Sequence, residues 1–480
     1  MAMNQGSSQL SFGLDRPLPA AAILGDGRAL NLSGWCAHAS QRIMSLEVGV
    51  GAHWEAVRQW GVRRIDLAPR AGSLGRGFYA VALPPVLLGP GRVEVALRAQ
   101  LEDGSSAEVA LGSLRAAVPA ELKPSRGRGN AAQVAICMAV FEPMPALFKR
   151  QVASIRAQTH GRWTCYVQDD ASRPAHRALI RRVLGSDRRF KLLHNRRNLG
   201  FYENFEACLR RVPPAPDCAY VALADQDDDW RPHKLAALIA ALERGPMNQL
   251  AYSDMRVTGA QRQVMHQSYY TYRRNSYGHV GDLLLANTVA GAASLFRREL
   301  LQQALPFPRA VDAGYHDHWI ACAAQAAGDL VFVDEPLYDY VQHGRNIIGH
   351  TPFQPQRPRW RGDLALLRDL IKPGAWTVNF RWAERRMEES VLKTAGWARI
   401  LLGRFPHASA DKRAQLERVA AIDRSMVAAF AQLLGGRLRR VDDLGMARAA
   451  LRCQLFLGLG RATAGFGLRN SEKQFLYGEA

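Results

Sequence analysis

Hydrophobic and polar residues change rhythm three times along this chain. From about residue 18 to 118 the apolar positions come in short bursts: AAILGDGRALNLSGWCAH, IMSLEVGV, GFYAVALP and GRVEVALRAQLEDG, parted by Gly, Pro and Asp turn signals. Leu46, Val48 and Val50 alternate with polar or small residues, as do Val93, Val95 and Leu97, so each strand offers one apolar face to a core. The pattern predicts a small β-sandwich over residues 1–125. Lys123 to Gln133, KPSRGRGNAAQ, has no apolar period and reads as a solvated linker. From Val134 the apolar runs VAICMAVF, WTCYVQDD and FKLLHN alternate with the helical stretches LFKRQVASIRAQ and ALIRRVLG, which predicts an α/β domain with a parallel sheet over 130–352. Beyond Pro352 the strand signals stop. LALLRDLI, WAERRMEESVLKTAGWARILL, KRAQLERVAAIDRSMVAAFAQLL and MARAALRCQLFLGLG read as amphipathic helices, a predicted α-helical domain over 353–480.

Composition changes this picture little. A chain of 480 residues exceeds what one core organises, and 48% hydrophobic with 22% charged residues excludes wholesale disorder. The net charge of +20 attracts polyanions, whether nucleic acid, anionic lipid or a phosphorylated substrate, or reflects a basic solvated surface. Seven cysteines at irregular spacing, with no Cys-x-x-Cys pair, fit a reducing cytoplasm. No leader pattern opens the sequence and no run approaches the roughly 20 apolar residues of a spanning helix, so a cytoplasmic chain is expected.

Candidate chemistry gathers at predicted strand ends, where ligands of α/β sheets bind: Glu142, Asp169, Asp170 and Asn195. The fourth apolar run, CAYVALADQDDDW, ends in four carboxylates within five residues. Such a cluster is costly unless a cation neutralises it, and a hard divalent ion with oxygen ligands, Mg2+ or Mn2+, is the natural one. In an extended backbone Asp225 and Asp227 point to one side, so that one holds ribose or diphosphate while the other ligates the ion. A solvated acidic loop is the plain alternative.

These residues resemble those of the inverting family 2 glycosyltransferases, which have a GT-A type fold, particularly the branch with bacterial rhamnosyltransferases and other surface-polysaccharide enzymes. Four segments carry the resemblance: VAICMAVFEPMPALFKRQVASIRAQTHGRWTCYVQDDAS, NRRNLGFYENFEACL, ADQDDDWRPHKL and YHDHWIACAAQAAGDLVFVDEPLYDYVQHGRNIIGH, together spanning about Val134 to His350. The resemblance implies that Asp170, with Asp169 beside it, contacts base and ribose, that Asn204 walls the nucleotide pocket, and that Asp225 and Asp227 hold diphosphate and metal. It puts the base that deprotonates the acceptor at Asp317, otherwise readable as a helix cap. His316 and His318 become orienting or acceptor-contacting groups, and Asp228 and Asp229 supporting or capping ones. His343 becomes a further metal or diphosphate contact, with Arg345 and Asn346 as phosphate partners. Asp254, Asn287 and Gly291 resemble pocket-wall positions. Where the family shows Asn in its first strand-end turn this chain has Glu142, which receives no role. Implied partners are a UDP- or dTDP-sugar donor and a glycan or lipid-linked glycan acceptor.

Other readings have their own residues. Asp227 and Asp317 formally serve as the two carboxylates of a glycoside hydrolase. The basic charge suits a polyanion-binding scaffold, but no helix-turn-helix, zinc finger or stacking platform accompanies it, so no specific nucleic acid is expected. His38, His53 and Trp54 read as turn and core residues, with a sugar-binding surface as the alternative. Gln356, Arg359 and Trp360 match the Gln-x-x-Arg-Trp string of processive synthases by chance, since those enzymes carry membrane helices beside it. Arg437, Arg439 and Arg440, near the apolar Leu455 to Leu459, suggest peripheral contact with an anionic membrane at its inner face.

Overall fold

A computed structural model describes residues 10–14, 17–22, 24–25, 30–57, 59–63, 76–82, 84, 86, 88–117, 132–213, 218–272, 275, 277–308, 315–344, 391–423, 425–439 and 450–451. Arg345, Asn346, Gln356, Arg359, Trp360, Arg440 and Leu455 to Leu459 lie outside them, as do the side chain of Arg437 and the predicted helix LALLRDLI.

The N-terminal strands are β1 (Leu10–Leu14), β2 (Ala21–Ala22), β3 (Leu30–His38), β4 (Ile43–Val50), β5 (His53–Ala56), β6 (Gln59–Arg63), β7 (Arg76–Ala82), β8 (Gly91–Leu101) and β9 (Ser106–Ala116). Among the described residues they form two sheets, ordered β1-β3-β7-β6 and β2-β9-β8-β4-β5. The alternation in the sequence has a visible cause: Leu46, Val48, Val50, Val95 and Leu97 bury their side chains in one cluster with Leu32, Phe78 and Ala80 of the other sheet.

The central segment contains β10 (Gln133–Val140), α1 (Pro145–Arg156), β11 (Trp163–Asp169), α2 (Pro174–Leu184), β12 (Phe190–His194), α3 (Phe201–Leu209), β13 (Cys218–Ala224), β14 (Asp229–Trp230) and α4 (Lys234–Leu242). It continues through β15 (Asn248–Gly259), β16 (Val264–His266), α5 (Val280–Leu285), β17 (Ser294–Arg297), α6 (Leu301–Ala304), α7 (His316–Ala327) and β18 (Asp329–Gln342). Pro145 and Pro174 open α1 and α2 at the first turn, where a missing N–H costs nothing. Every residue of β13 is buried, as a strand covered on both faces requires.

The sheet order is β12-β11-β10-β13-β17-β15-β18-β14, with β16 on β15. Only part of it is the parallel sheet the alternating pattern predicts. β12, β11, β10 and β13 run parallel, but β17 enters antiparallel between β13 and β15, and β14 pairs antiparallel with β18. After α4 the connections vary: β15 turns back on β16 as a hairpin, short helices α5 and α6 flank the antiparallel β17, and α7 leads into β18, which pairs in parallel with β15. Asp254 sits inside β15.

Three C-terminal helices follow: α8 (Leu392–Arg404), α9 (Ala410–Ala420) and α10 (Met426–Leu438). The run from Lys412 to Leu434 breaks into two, because Ser425 starts a new helix by accepting the Ala428 N–H at 3.1 Å. Ala395, Trp397, Leu401, Leu416 and Leu433 join the same buried cluster as the central sheet. Asp282 of α5 accepts from Arg439 Nε at 2.6 Å, Arg439 Nη2 at 2.7 Å and Gln432 Nε2 at 3.0 Å, which ties α10 to the central segment. The six described cysteines are buried and free, and no helix among the described residues is long and apolar enough to cross a membrane.

Candidate active site

A cleft of about 670 Å3 opens at the carboxyl ends of β10, β11 and β13, lined by Asp170, Asn204, Asp225, Asp227, Asn287, Gly291 and Asp317 among others. Residues far apart in sequence meet here: Asp170, Asp225 and Asp227 follow β11 and β13, Asn204 lies on α3, Asn287 and Gly291 precede β17, and Asp317 sits in the first turn of α7.

The wall after β11 is a closed polar network. Asp170 Oδ1 accepts from Asn195 Nδ2 at 2.7 Å and the Leu199 N–H at 2.8 Å, and Oδ2 accepts from the Gly200 N–H at 2.9 Å. Gly200 holds a φ of 79°, a left-handed conformation that glycine adopts without strain, and this lets the chain present its N–H to Asp170 before α3 begins. Asn204 is buried, its Oδ1 accepting from Asn195 Nδ2 at 2.8 Å and its Nδ2 donating to the Gln168 carbonyl at 3.1 Å. Asp169 does not line the cleft. Its buried carboxylate faces His194 Nδ1 at 3.0 Å, Arg177 Nε at 3.3 Å and the Ser172 N–H at 3.3 Å. Glu142 and Ala171, at the turns after β10 and β11, have φ of 42° and 59°, and Glu142 pairs with Arg173 Nη2 at 2.8 Å. Arg173 holds that carboxyl below its usual range.

The acidic run leaves β13 at Ala224. Bends at Gln226 and Asp227, rather than an extended backbone, turn both Asp225 and Asp227 into the cleft. Gln226 fixes that bend, accepting from the Phe141 N–H at 2.9 Å and donating to the Phe141 carbonyl at 3.2 Å. Asp227 Oδ2 lies 2.8 Å from His343 Nε2. Burial, then the charges of Asp227 and Asp317, pushes the Asp225 carboxyl up to about 7, opposed by Lys234. Asp228 is buried and shifted well upward by the same desolvation; its Oδ1 accepts from the Val341 N–H at 3.3 Å, and its Oδ2 has no hydrogen-bond partner among the described residues. Asp229 points elsewhere, toward Arg262 at 3.2 Å and Arg150 at 3.9 Å.

Lys234 lies under this cluster, fully buried at the start of α4. Its ammonium donates to the Ala292 carbonyl and sits 3.6 Å from the Trp230 ring centre and 4.5 Å from that of Tyr338. Burial pulls its pKa down and Asp228 and Asp225 hold it up. Lys234 and Gln226 carry no functional signal in the sequence, since a lysine opening a helix and a glutamine within an acidic run look like solvated residues.

Asp317 occupies the first turn of α7, one residue past the helix start; Tyr315 is at the cap position. Its Oδ1 accepts from the His318 N–H at 2.6 Å and its Oδ2 from the Gly291 N–H at 3.2 Å. Burial outweighs these bonds and pushes its carboxyl up to about 6. Gly291 is required by packing: a Cβ there would stand 2.8 Å from His316 Nε2 and 3.2 Å from Asp317 Cβ. His316 lines the cleft, stacked on Phe205 with centroids 3.6 Å apart, and burial pulls its pKa down to about 3, a neutral ring. His318 turns away instead, meeting the Leu283 carbonyl at 2.6 Å and the edge of Trp397. Asp254 also faces away from the cleft, accepting from the Met255 and Tyr269 N–H groups at 2.7 and 3.1 Å.

Among the described residues no three His, Cys, Asp or Glu side chains converge as a ready-made metal cage. Mg2+-type sites next to phosphates use one or two carboxylates, with phosphate and water completing the shell. Asp227 and Asp225, whose charges oppose one another across a shared cleft, fit that second arrangement.

Residues 136–305 match the family described as Glycosyl transferase family 2. An uncharacterized protein of Sinorhizobium fredii, y4gI, is 25% identical over 126 residues, so the chain spans 13% of that relative's length and the match 26% of this chain. Among solved structures, the mannosyltransferase PcManGT of Pyrobaculum calidifontis, in complex with GDP-Man and Mn2+, is similar at a TM-score of 0.37 and 16% identity, over 73% of this chain and 91% of that one. TarS of S. aureus, residues 1–349 with UDP-GlcNAc, gives a TM-score of 0.39 at 13% identity over 70% and 93% of the two chains.

Proposed function

We propose, proceeding from residues 136–305 as a family 2 glycosyltransferase domain, that this chain moves a sugar from a nucleotide-diphosphate sugar to an acceptor hydroxyl with inversion at the anomeric carbon. The observation that carries this reading is that Asp317, with a carboxyl raised to about 6, shares one cleft with Asp225 and Asp227. A base is most useful when its pKa lies near the working pH.

Asp227, with Asp225 and His343 beside it, would hold a divalent cation, Mg2+ or Mn2+. When bound, such an ion neutralises the charge of the donor's diphosphate. Asp317 takes the proton from the acceptor hydroxyl, and the acceptor oxygen bonds to the anomeric carbon. The bond from that carbon to the phosphate oxygen breaks, the electron pair leaving with the diphosphate on the opposite face. The His318 and Gly291 N–H groups hold the Asp317 carboxylate toward the cleft while it receives the proton. Asp170, Asn195 and Asn204 brace the wall against which base and ribose would lie, and Arg345 is a further phosphate partner. Asp169 braces that wall from behind, through His194 and Arg177.

The donor is a UDP- or dTDP-sugar and the acceptor a glycan or lipid-linked glycan, in surface-polysaccharide assembly of the rhamnosyltransferase type. Residues 1–125 serve as a β-sandwich accessory unit and 353–480 as a helical one, on a cytoplasmic protein. Screening a panel of nucleotide sugars for thermal stabilisation with and without Mn2+ tests the donor site, since a bound donor raises the melting temperature by mass action. Divalent-dependent stabilisation that vanishes in Asp227→Ala, and transfer that vanishes in Asp317→Ala at unchanged folding, are the expected results. Hydrolysis of glycosides without metal or nucleotide, with no nucleotide-sugar binding, would overturn the reading in favour of a hydrolase.

A further inference from the structure

Three consecutive residues, Tyr315, His316 and Asp317, form the start of α7, and the reaction above uses only the last of them. The other two are backed from α3. Phe201 and Phe205 stand one helical turn apart and so on one face of that helix, and each meets one ring of α7. Phe205 stacks on His316, centroids 3.6 Å apart and planes 15° from parallel, and Phe201 stacks on Tyr315 at 5.7 Å and 28°. All four rings line the cleft. The inner pair is closed, Phe205 being 2% and His316 9% exposed, while Tyr315 of the outer pair is 40% exposed.

Neither Tyr315 nor His316 is accounted for by folding alone. Tyr315 holds the N-cap position, where a short side chain with an oxygen is favoured, and its own side chain makes no capping hydrogen bond. A ring of this size stabilises a fold chiefly by being buried, yet this one stays open to the cleft. The His316 ring is neutral, and its Nδ1 is buried with no hydrogen-bond partner among the described residues. Buried polar atoms are nearly always partnered, and an exception on the wall of a cleft marks a place for a ligand or a water.

The start of α7 thus offers a supported ring face, an unpartnered imidazole and a carboxylate in succession. A ligand that meets all three has an apolar face bordered by hydroxyls, and a pyranose ring has that shape, with C–H bonds over one face and hydroxyls around its edge. An alkyl chain lacks the hydroxyls. A nucleobase stacks equally well but brings no hydroxyl for Asp317 to deprotonate. No Lys or Arg is among the described residues that line the cleft, so a neutral ligand suits the Tyr315 end better than an anionic one. We propose that Tyr315, supported by Phe201, stacks the sugar ring of the acceptor, and that His316 hydrogen-bonds a hydroxyl of that ring beside the one Asp317 deprotonates; this rests on the transferase reading with Asp317 as its base. Because platform and base open the same helix, the ring held on Tyr315 is placed relative to the carboxylate before the reaction begins. The subsite selects a saturated sugar ring over a chain alcohol.

The test is saturation-transfer NMR on the full chain with Mn2+ and UDP or dTDP present, using a panel of methyl pyranosides as probes and glycerol as the chain polyol. In the wild type the signal is strongest at the C–H protons of one ring face of at least one pyranoside, and glycerol gives little. Tyr315→Ala lowers the affinity for that pyranoside about tenfold, the effect of one stacked ring, while Tyr315→Trp retains it and neither variant changes the nucleotide affinity. The one-face pattern is read on the wild type and does not depend on how the variants fold. Unchanged pyranoside affinity in Tyr315→Ala, a wild-type signal no stronger for the pyranosides than for glycerol, or a loss of nucleotide affinity in place of pyranoside affinity would each overturn the subsite, the last in favour of the donor as the occupant. Failure of the transferase reading shows separately, as a wild type that binds neither UDP nor dTDP with Mn2+, and takes the subsite with it.

Discussion

His343 Nε2 stands 2.8 Å from Asp227 Oδ2 although 116 residues separate the two in the chain. β13 delivers the aspartate at its carboxyl end, and β18 delivers the histidine just past its own last residue. The pair orients Asp227, a carboxylate of the acidic run that lines the cleft. Removing His343 therefore leaves a carboxylate in place but badly oriented. His343→Ala should weaken Mn2+-dependent nucleotide-sugar binding about 10- to 100-fold, the usual cost of losing a group that orients a metal ligand. Asp227→Asn should abolish it. Titration of thermal stabilisation against Mn2+ checks both, and an unchanged Mn2+ midpoint in His343→Ala would refute the orienting role.

The cluster predicts an unusual pH dependence of stability. Asp225 titrates at about 7 and Asp317 at about 6 in the folded protein, against 3.8 for an ordinary Asp. Between those limits the folded state binds more protons than the unfolded one, so stability falls as pH rises from about 4 to about 7 and levels off above. Both groups reach solvent in part, and about 1–2 kcal/mol in total is a fair expectation after screening. Melting temperatures across this range, with and without Mn2+, test it. Asp225→Asn should flatten the curve and raise the melting temperature at pH 8.

Activity should respond in the opposite sense. Asp317 accepts a proton only when ionised, so the limiting kcat/KM should fall tenfold per pH unit below about 6. A profile flat down to pH 4.5 would remove Asp317 from the role of base.

Gly291 offers a test by a single methyl group. Its added Cβ would press on His316 Nε2 at 2.8 Å and on Asp317 Cβ at 3.2 Å, and His316 cannot retreat because it is stacked on Phe205. Gly291→Ala should displace the Asp317 carboxylate and lower kcat by about 100-fold, with little change in donor affinity. Separate measurement of kcat and donor binding distinguishes this from a general loss of fold.

Lys234 is the buried cation under the acidic run, and its removal leaves Asp225 and Asp228 without compensation. Lys234→Met should destabilise by about 1–3 kcal/mol, because the buried Ala292 carbonyl loses its donor and the Asp225 and Asp228 carboxyls lose a nearby positive charge. The double variant with Asp228→Asn should recover part of that loss. Chemical denaturation of the three proteins measures the coupling, and additive losses would argue against any electrostatic interaction between Lys234 and Asp228.

Several of these positions were legible in the sequence. The helix-strand alternation from Val134 onward located β10, α1, β11, α2 and β12, because a buried parallel strand is a continuous apolar run and a crossover helix has a different period. The placement of Asp170 and Asp225 just past such runs followed from the same pattern. The antiparallel entry of β17 between β13 and β15 was not legible, since strand order depends on which edges remain open once the first strands have paired.

What the sequence by itself determined is which residues carry charge, where strands and helices begin, and that acidic groups crowd the end of one buried strand. Only the tertiary structure decided which carboxylates share a solvent-facing cleft and which are turned inward. Asp169 and Asp170 are neighbours in sequence, yet one faces His194 and Arg177 behind the sheet while the other anchors the cleft wall. Adjacent residues at a strand end point to opposite sides, so adjacency in sequence separates them in function. Asp227, Gly291, Asp317 and His343 are linked in the sequence only through the family resemblance, and Lys234 carries no such signal. Their geometry arises when the strands and helices that bear them pack together, and burial, which shifts the Asp225 and Asp317 carboxyls, exists only once that has happened.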